Sequence, residues 1–180
     1  YVFFPGCQLA GARPGQVADV YDFLKGRLYG GLGVYLSCCG IPAYWAGEKE
    51  YFARHVQQMT EKLASLGNPT IIAACPTCLN VFREHLPEIE VTSLWEVLDG
   101  MDLGDRKPGP DVPDTLVIHD PCAARHNTAW QKAVRSLAKK CGVTIRESKH
   151  TRETTACCGH GGNQWCADYE TAKAVARKRA

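Results

Sequence analysis

Apolar residues recur along this chain at two spacings, and the alternation between them predicts the fold. Three short apolar runs, "VFFPGC" from residue 2, "NPTIIAACPTC" from 68 and "LVIHDPC" from 116, each end at a proline or a cysteine, as strands entering loops do. Between them the spacing changes to that of an amphipathic helix. In 15–29, Val17, Val20, Tyr21, Leu24 and Leu28 share one face; in 48–66, Phe52, Val56, Met59, Leu63 and Leu66 do. In 127–141, Trp130, Val134, Leu137 and Cys141 form a third face, behind Asn127 as N-cap. Gly67-Asn68-Pro69 marks a helix stop, and 168–179 reads as a fourth helix. Strands alternating with helices of this length predict right-handed β-α-β units and parallel sheets.

The pattern also repeats. Cys7 and Cys122 each follow an apolar run and a proline, and each leads to a Cys-Cys-Gly, at 38–40 and 157–159. In between lie 30 residues in the first case and 34 in the second. A shuffled chain of this composition would hold about 0.05 copies of Cys-Cys-Gly, so two are not chance. The first unit goes on to Cys75-x-x-Cys78, with Cys75 36 positions after Cys39. The same step from Cys158 lands near 194, about 14 residues past Ala180. The expected fold class is therefore α/β: two repeated Rossmann-like β-α-β units with parallel sheets, cysteines at strand C-terminal ends, and the second repeat truncated. The first repeat is assigned to 1–98, a Gly-, Pro- and Asp-rich linker to 99–114, and the second to 115–180.

Composition narrows the chemistry. A formal net charge of +2 gives no reason to expect nucleic acid or an anionic membrane as partner. No apolar run approaches the roughly 20 residues of a membrane span. The chain starts at Tyr1 without a recognisable secretory segment, which predicts a processing boundary there and a reducing, cytoplasmic setting, peripheral to a membrane through partner subunits if at all. Ten cysteines would mean disulfides in a small secreted protein; in a reducing compartment they point to metal or redox chemistry. Neighbouring cysteines make poor disulfides with each other but can each hold a different metal atom.

In open α/β sheets ligands gather at the carboxyl ends of strands. Cys7, Cys38, Cys39 and Cys75 are predicted to follow strand ends directly, and Cys78 to lie in the next helical turn, where the helix dipole favours thiolates. Five thiolates exceed a tetrahedral zinc site and do not form the compact run of an ordinary ferredoxin cluster.

The pattern Cys…Cys-Cys-Gly…Cys-x-x-Cys resembles the cysteine-rich CCG domain found in heterodisulfide reductase and in the iron–sulfur subunits of glycolate and lactate oxidases. The resemblance implies a noncubane [4Fe-4S] cluster held by Cys7, Cys38, Cys39, Cys75 and Cys78. It implies a second set at Cys122, Cys157 and Cys158, which without its Cys-x-x-Cys is incomplete. It further implies electron transfer or heterodisulfide-type disulfide reduction, with a disulfide or 2-hydroxy-acid pathway substrate. A ferredoxin-type or flavoprotein donor domain or subunit would supply electrons, because this sequence has neither a Cys-x-x-Cys-x-x-Cys run nor a Gly-x-Gly-x-x-Gly fingerprint. Two other readings fit the same residues: a zinc-binding structural or interaction module, and a metal-free thiol switch on Cys75 and Cys78. Cys141 is expected to be a core thiol and Cys166 a structural one. Asp120 is read as a turn or capping residue, Arg125 as an anion or cluster-charge contact or a surface ion pair. His160 is read as a loop residue, and His55 receives no role.

Overall fold

The computed structural model describes residues 1–104, 109–110 and 112–179; part of the predicted 99–114 linker lies outside the described residues. The chain divides into two compact units, Tyr1–Leu94 and Trp95–Ala180.

Unit 1 runs β1 (Val2–Phe4), α1 (Cys7–Ala12), α2 (Pro14–Lys25), β2 (Gly33–Val34), α3 (Ile41–Trp45), α4 (Lys49–Ser65), β3 (Ile71–Ala73), α5 (Pro76–His85) and β4 (Val91–Ser93). Helix α6 (Leu94–Asp99) crosses the division. The strands form one parallel sheet in the order β2-β1-β3-β4. From β1 the chain turns first toward β2, then crosses to β3 on the other side. The strand order reverses between β1 and β3, and open sheets of this kind place ligands at the carboxyl ends of strands at such a point. β1 and β3 are buried along their whole length, which explains why they read as continuous apolar runs rather than as alternation. Their side chains pack with Phe52, Met59 and Leu63 of α4 and with Val81 and Phe82 of α5; the Phe4 and Phe82 rings meet edge-on at 5.1 Å. Cys39 and Cys78 belong to this same core.

The helical spacings hold, with shifts at the ends. The helix expected over 15–29 stops at Lys25, where Gly26 withdraws helix propensity, and Tyr29 beyond it is 96% exposed. The one over 48–66 ends at Ser65, because Gly67 and Asn68 take positive φ of 80° and 50°. β2 is a two-residue edge strand, so Cys38 does not follow it directly: three residues outside any strand or helix, Tyr35 to Ser37, intervene. β4 and the strand at 144–147 carry no run that the periodicity singles out.

Unit 2 contains β5 (Thr115–Ile118), a 3-10 turn at Cys122–Ala124, α7 (Thr128–Lys140), β6 (Thr144–Glu147), a 3-10 turn at Arg152–Thr154, α8 (Gln164–Ala167) and α9 (Tyr169–Arg179). Asn127 caps α7 as predicted, its side chain accepting from Trp130 N–H at 3.0 Å. Among the described residues its sheet has two strands, β5 and β6, paired in parallel. Both are largely exposed, and Val117 is 52% exposed. Unit 2 is held instead by α7, whose Trp130, Ala133 and Leu137 are buried beside a buried ion pair. No helix among the described residues is long and apolar enough to cross a membrane.

Candidate metal centre

Each cysteine segment of unit 1 sits at a helix N-terminus. Cys7 opens α1, the Cys38–Cys39 pair leads into α3 through Gly40, and Cys75 caps α5 with Cys78 in its first turn. Pro42 and Pro76 occupy the first turns of α3 and α5, where no backbone N–H is lost to the helix. The N–H groups left over at such ends point at whatever sits in front of them.

What sits in front of them is sulfur. Cys39 is hydrogen-bonded with Cys38 and with Cys78, and Cys78 also with Cys75, so four thiols form a continuous chain; Cys38 also feels the charge of Cys7. Hydrogen bonds from Cys38 and Cys78, with the Ile41 N–H, outweigh burial and hold Cys39 down at about 3. Cys75, accepting from Cys78 and from the N–H groups of Cys78 and Thr77, is lowered to about 6 against its burial. The two donors are pushed up: Cys38 by its bond to Cys39 and by burial, Cys78 by its bonds to Cys39 and Cys75 and by burial. The shared protons pull Cys39 and Cys75 down and push Cys38 and Cys78 up, and a cationic centre among the four sulfurs would take the place of those protons.

Gly6 and Gly40 make room for this arrangement. Gly6 has φ +77°, and a Cβ there would lie 3.2 Å from Cys78 Sγ and 3.4 Å from Cys75 Cβ. Gly40 has φ +85°, and its N–H reaches Cys38 Sγ at 3.4 Å. Exposure grades across the group. Cys39 and Cys78 are 3% exposed against the core, Cys38 and Cys75 are half-buried, and Cys7 faces solvent. Among the described residues, no three His, Cys, Asp or Glu side chains are arranged to hold a single metal ion. A polynuclear group makes a different demand, since its ligands bind separate atoms. The all-thiol donor set, with N–H groups behind it, fits such a group.

The second Cys-Cys-Gly repeats the turn of the first. Gly159 has φ +78°, and its N–H reaches Cys157 Sγ at 3.3 Å. Cys122 and Cys157 are exposed, and Cys158 is half-buried. The segments carrying them are tied together through Asp120, two residues before Cys122. Its carboxylate accepts from Arg135 at 2.8 Å on both oxygens, from the Thr151 hydroxyl at 2.7 Å and from the Arg152 N–H at 2.8 Å. Its carbonyl accepts from the buried Thr155 hydroxyl at 2.6 Å, two residues before Cys157. Burial alone would raise the Asp120 carboxyl; these donors overcome it and hold it well below the ordinary carboxylate range. Asp120 is therefore the anchor of a buried network rather than a simple turn residue. Arg125 donates to the Thr155 carbonyl at 2.8 Å, and the buried Gln131 amide donates to the carbonyls of Ala124 and Arg125.

The residue that sequence patterns pass over is His55. Its Nε2 lies 2.8 Å from the Cys38 carbonyl oxygen, and its ring stacks on Tyr51. Position 55 adjoins the apolar face of its helix, and no motif in the sequence links it to a loop 17 residues earlier. Cys141 ends α7 half-buried, and Cys166 is exposed on α8; all ten cysteines are free thiols. His160 stacks on Trp165 at 5.7 Å.

Comparison with known proteins points the same way. The model of the cysteine-rich CCG domain matches residues 1–83 and again 116–180. A probable iron–sulfur-binding oxidoreductase of Bacillus subtilis is 29% identical over 111 residues, 58% of this chain and 16% of the relative. An uncharacterized iron–sulfur protein of Methanococcus maripaludis is 25% identical over 145 residues, 79% of this chain and 28% of the relative. One component of the dihydromethanophenazine:CoB–CoM heterodisulfide reductase of Methanosarcina barkeri is 26% identical over 183 residues, 89% of this chain and 43% of the relative. The chain spans less than half the length of each of these relatives.

Proposed function

This chain belongs to the cysteine-rich CCG domain family, and on that premise we propose that it is the iron–sulfur part of an oxidoreductase. Its electrons would pass singly toward a disulfide or a 2-hydroxy-acid pathway substrate. Cys7, Cys38, Cys39, Cys75 and Cys78 would hold one [4Fe-4S] cluster of the noncubane type. Cys122, Cys157 and Cys158 would supply three thiolates of a second set. When bound, such a cluster takes up and delivers one electron at a time.

The observation that carries the reading is the chain of thiols in unit 1, set before three helix N-termini, with Cys7 and Cys75 just past the ends of the adjacent strands β1 and β3. Cys39 and Cys78 would anchor the cluster against Phe52, Met59 and Phe82, keeping water from its inner face. The N–H groups of Gly40, Ile41, Thr77 and Cys78 would donate to its thiolates, which sets how readily the centre is reduced. Exposed Cys7 marks the side open to a partner or substrate. A donor domain or subunit of ferredoxin or flavoprotein type would bring the electrons, in a reducing cytoplasm that keeps ten free thiols reduced. The zinc alternative uses only four thiolates and leaves one of the five over, and a set of five favours the cluster over it.

Iron, zinc and acid-labile sulfide measured on anaerobically purified protein test this. About four irons and four sulfides per chain are expected from one complete cluster. One zinc without sulfide would overturn the proposal in favour of an interaction module.

A further inference from the structure

We propose that His55 is a positioning residue for the metal centre of unit 1, gripping the peptide bond that joins Cys38 to Cys39; the proposal rests on the iron–sulfur reading above. Two adjacent cysteines share one peptide plane, and the tilt of that rigid plane sets where both side chains leave the backbone. The Cys38 carbonyl oxygen belongs to that plane, and His55 Nε2 lies 2.8 Å from it. A carbonyl only accepts, so Nε2 carries the hydrogen and donates it. The Ser37 hydroxyl reaches the same oxygen at a longer 3.3 Å.

The ring is itself held in place. It lies parallel to the Tyr51 ring one helical turn earlier on α4, at 6.4 Å and 6°. Its Cδ2 would stand 2.6 Å from a Cβ at position 40, so the glycine after the pair leaves space for the imidazole as well as turning the chain. The second Cys-Cys-Gly supplies the comparison. Its turn has the same positive φ and the same glycine N–H to cysteine sulfur contact, yet the three atoms nearest a Cβ there are backbone and Cα atoms of Ala172 on α9, where at Gly40 they belong to the His55 and Phe52 rings. His55 adds a grip on the direction of the two sulfurs, and through it ties that direction to α4.

The test compares the full chain with H55F, which keeps a ring and loses the donor, and with H55Q, whose amide nitrogen reaches the same carbonyl. All three are purified anaerobically and loaded with iron and sulfide. The readouts are iron and sulfide content, the rate of iron loss to a ferrous chelator, the paramagnetic spectrum of the centre, and thermal unfolding of the metal-free protein. H55F is expected to lose iron about 10–100-fold faster, with an altered spectrum, while its metal-free unfolding matches the wild type. H55Q is expected to restore both the rate and the spectrum. Should metal-free H55F fail to unfold cooperatively, H55N, one carbon too short to reach, takes its place. Wild-type kinetics in H55F, or loss in H55Q as fast as in H55F, overturns the proposal and leaves the cluster reading standing. A wild-type chain that takes up no iron and sulfide overturns both.

Discussion

Replacing Arg135 with methionine keeps the aliphatic stem and removes a guanidinium that unit 2 is built around. Arg135 is 7% exposed and Asp120 is 2%. The guanidinium donates to both Asp120 oxygens at 2.8 Å, to both Glu147 oxygens at 2.6 and 2.8 Å and to the Gln131 carbonyl at 3.1 Å, and its Nη2 lies 3.0 Å from the Thr151 hydroxyl oxygen. Removing one partner of a buried pair costs about 3–5 kcal/mol, because the other charge stays buried. Here Asp120 keeps the Thr151 hydroxyl and the Arg152 N–H, and Glu147 is exposed enough to turn to water, which puts R135M near the lower end, about 3 kcal/mol. A unit of this length has roughly 4–13 kcal/mol in all, so the loss should be plain. The assay is urea unfolding of reduced, metal-free protein followed by tryptophan fluorescence. Trp95, Trp130 and Trp165 lie in unit 2, with buried Trp130 6.1 Å from Trp95, and only half-exposed Trp45 lies in unit 1, so the signal reports mainly on unit 2. In R135M/D120N the stranded charge is gone, and the double variant should be more stable than the summed singles imply by about 1–3 kcal/mol. The acid arm has a definite sign. Arg135's hydrogen bond, against burial, holds the Glu147 carboxyl below its ordinary value. The stability it lends is present above the unfolded value of about 4.3 and is lost as pH falls through the lower folded one. That loss should flatten in R135M. An R135M stability within about 1 kcal/mol of wild type, or strict additivity in the cycle, would refute the reasoning.

Two further predictions separate features that look alike in sequence. Gly159→Ala places a Cβ 2.2 Å from the Ala172 carbonyl oxygen, a backbone atom that cannot swing aside, whereas Gly40→Ala meets the movable His55 ring at 2.6 Å. Both incur the left-handed backbone penalty of about 1–2 kcal/mol, but G159A should lose about 2–5 kcal/mol and G40A less, as read by chemical unfolding of metal-free protein. Among the cysteines, C39S should abolish iron uptake in the reconstitution assay, while C141S and C166S should load as wild type; equal loss from all three would remove any special standing for the thiols of unit 1.

The sequence predicted most where chemistry and periodicity are local. Val17 and Leu24, or Phe52, Met59 and Leu63, announce a buried helical face because 3.6-residue spacing is a property of a short segment. The two Cys-Cys-Gly turns were legible for a similar reason: the glycine that follows must adopt positive φ, and it does so at both places. What stayed hidden depends on residues meeting across the fold. Nothing in the sequence couples His55 to a carbonyl 17 residues away, or Asp120 to Arg135, Thr151 and Thr155. β2 was overestimated because two paired residues at a sheet edge leave no apolar run, and exposed β6 gives no periodic signal at all.

The position of β1 has a consequence for how the protein is made. Phe3 pairs with Val34 on one side and with Ile72 on the other, so the earliest strand of unit 1 is complete only after the chain has supplied β3. The thiols follow the same schedule: Cys7, Cys38 and Cys39 exist long before Cys75 and Cys78 arrive to join them. Such long-range pairing forms late because the loop must close before the contacts can offset its entropy. An unfinished chain would present scattered cysteines with no assembled nest of N–H groups. Docking of β3 and α5 would then be the event that makes the site able to receive the proposed cluster, coupling its maturation to completion of the fold.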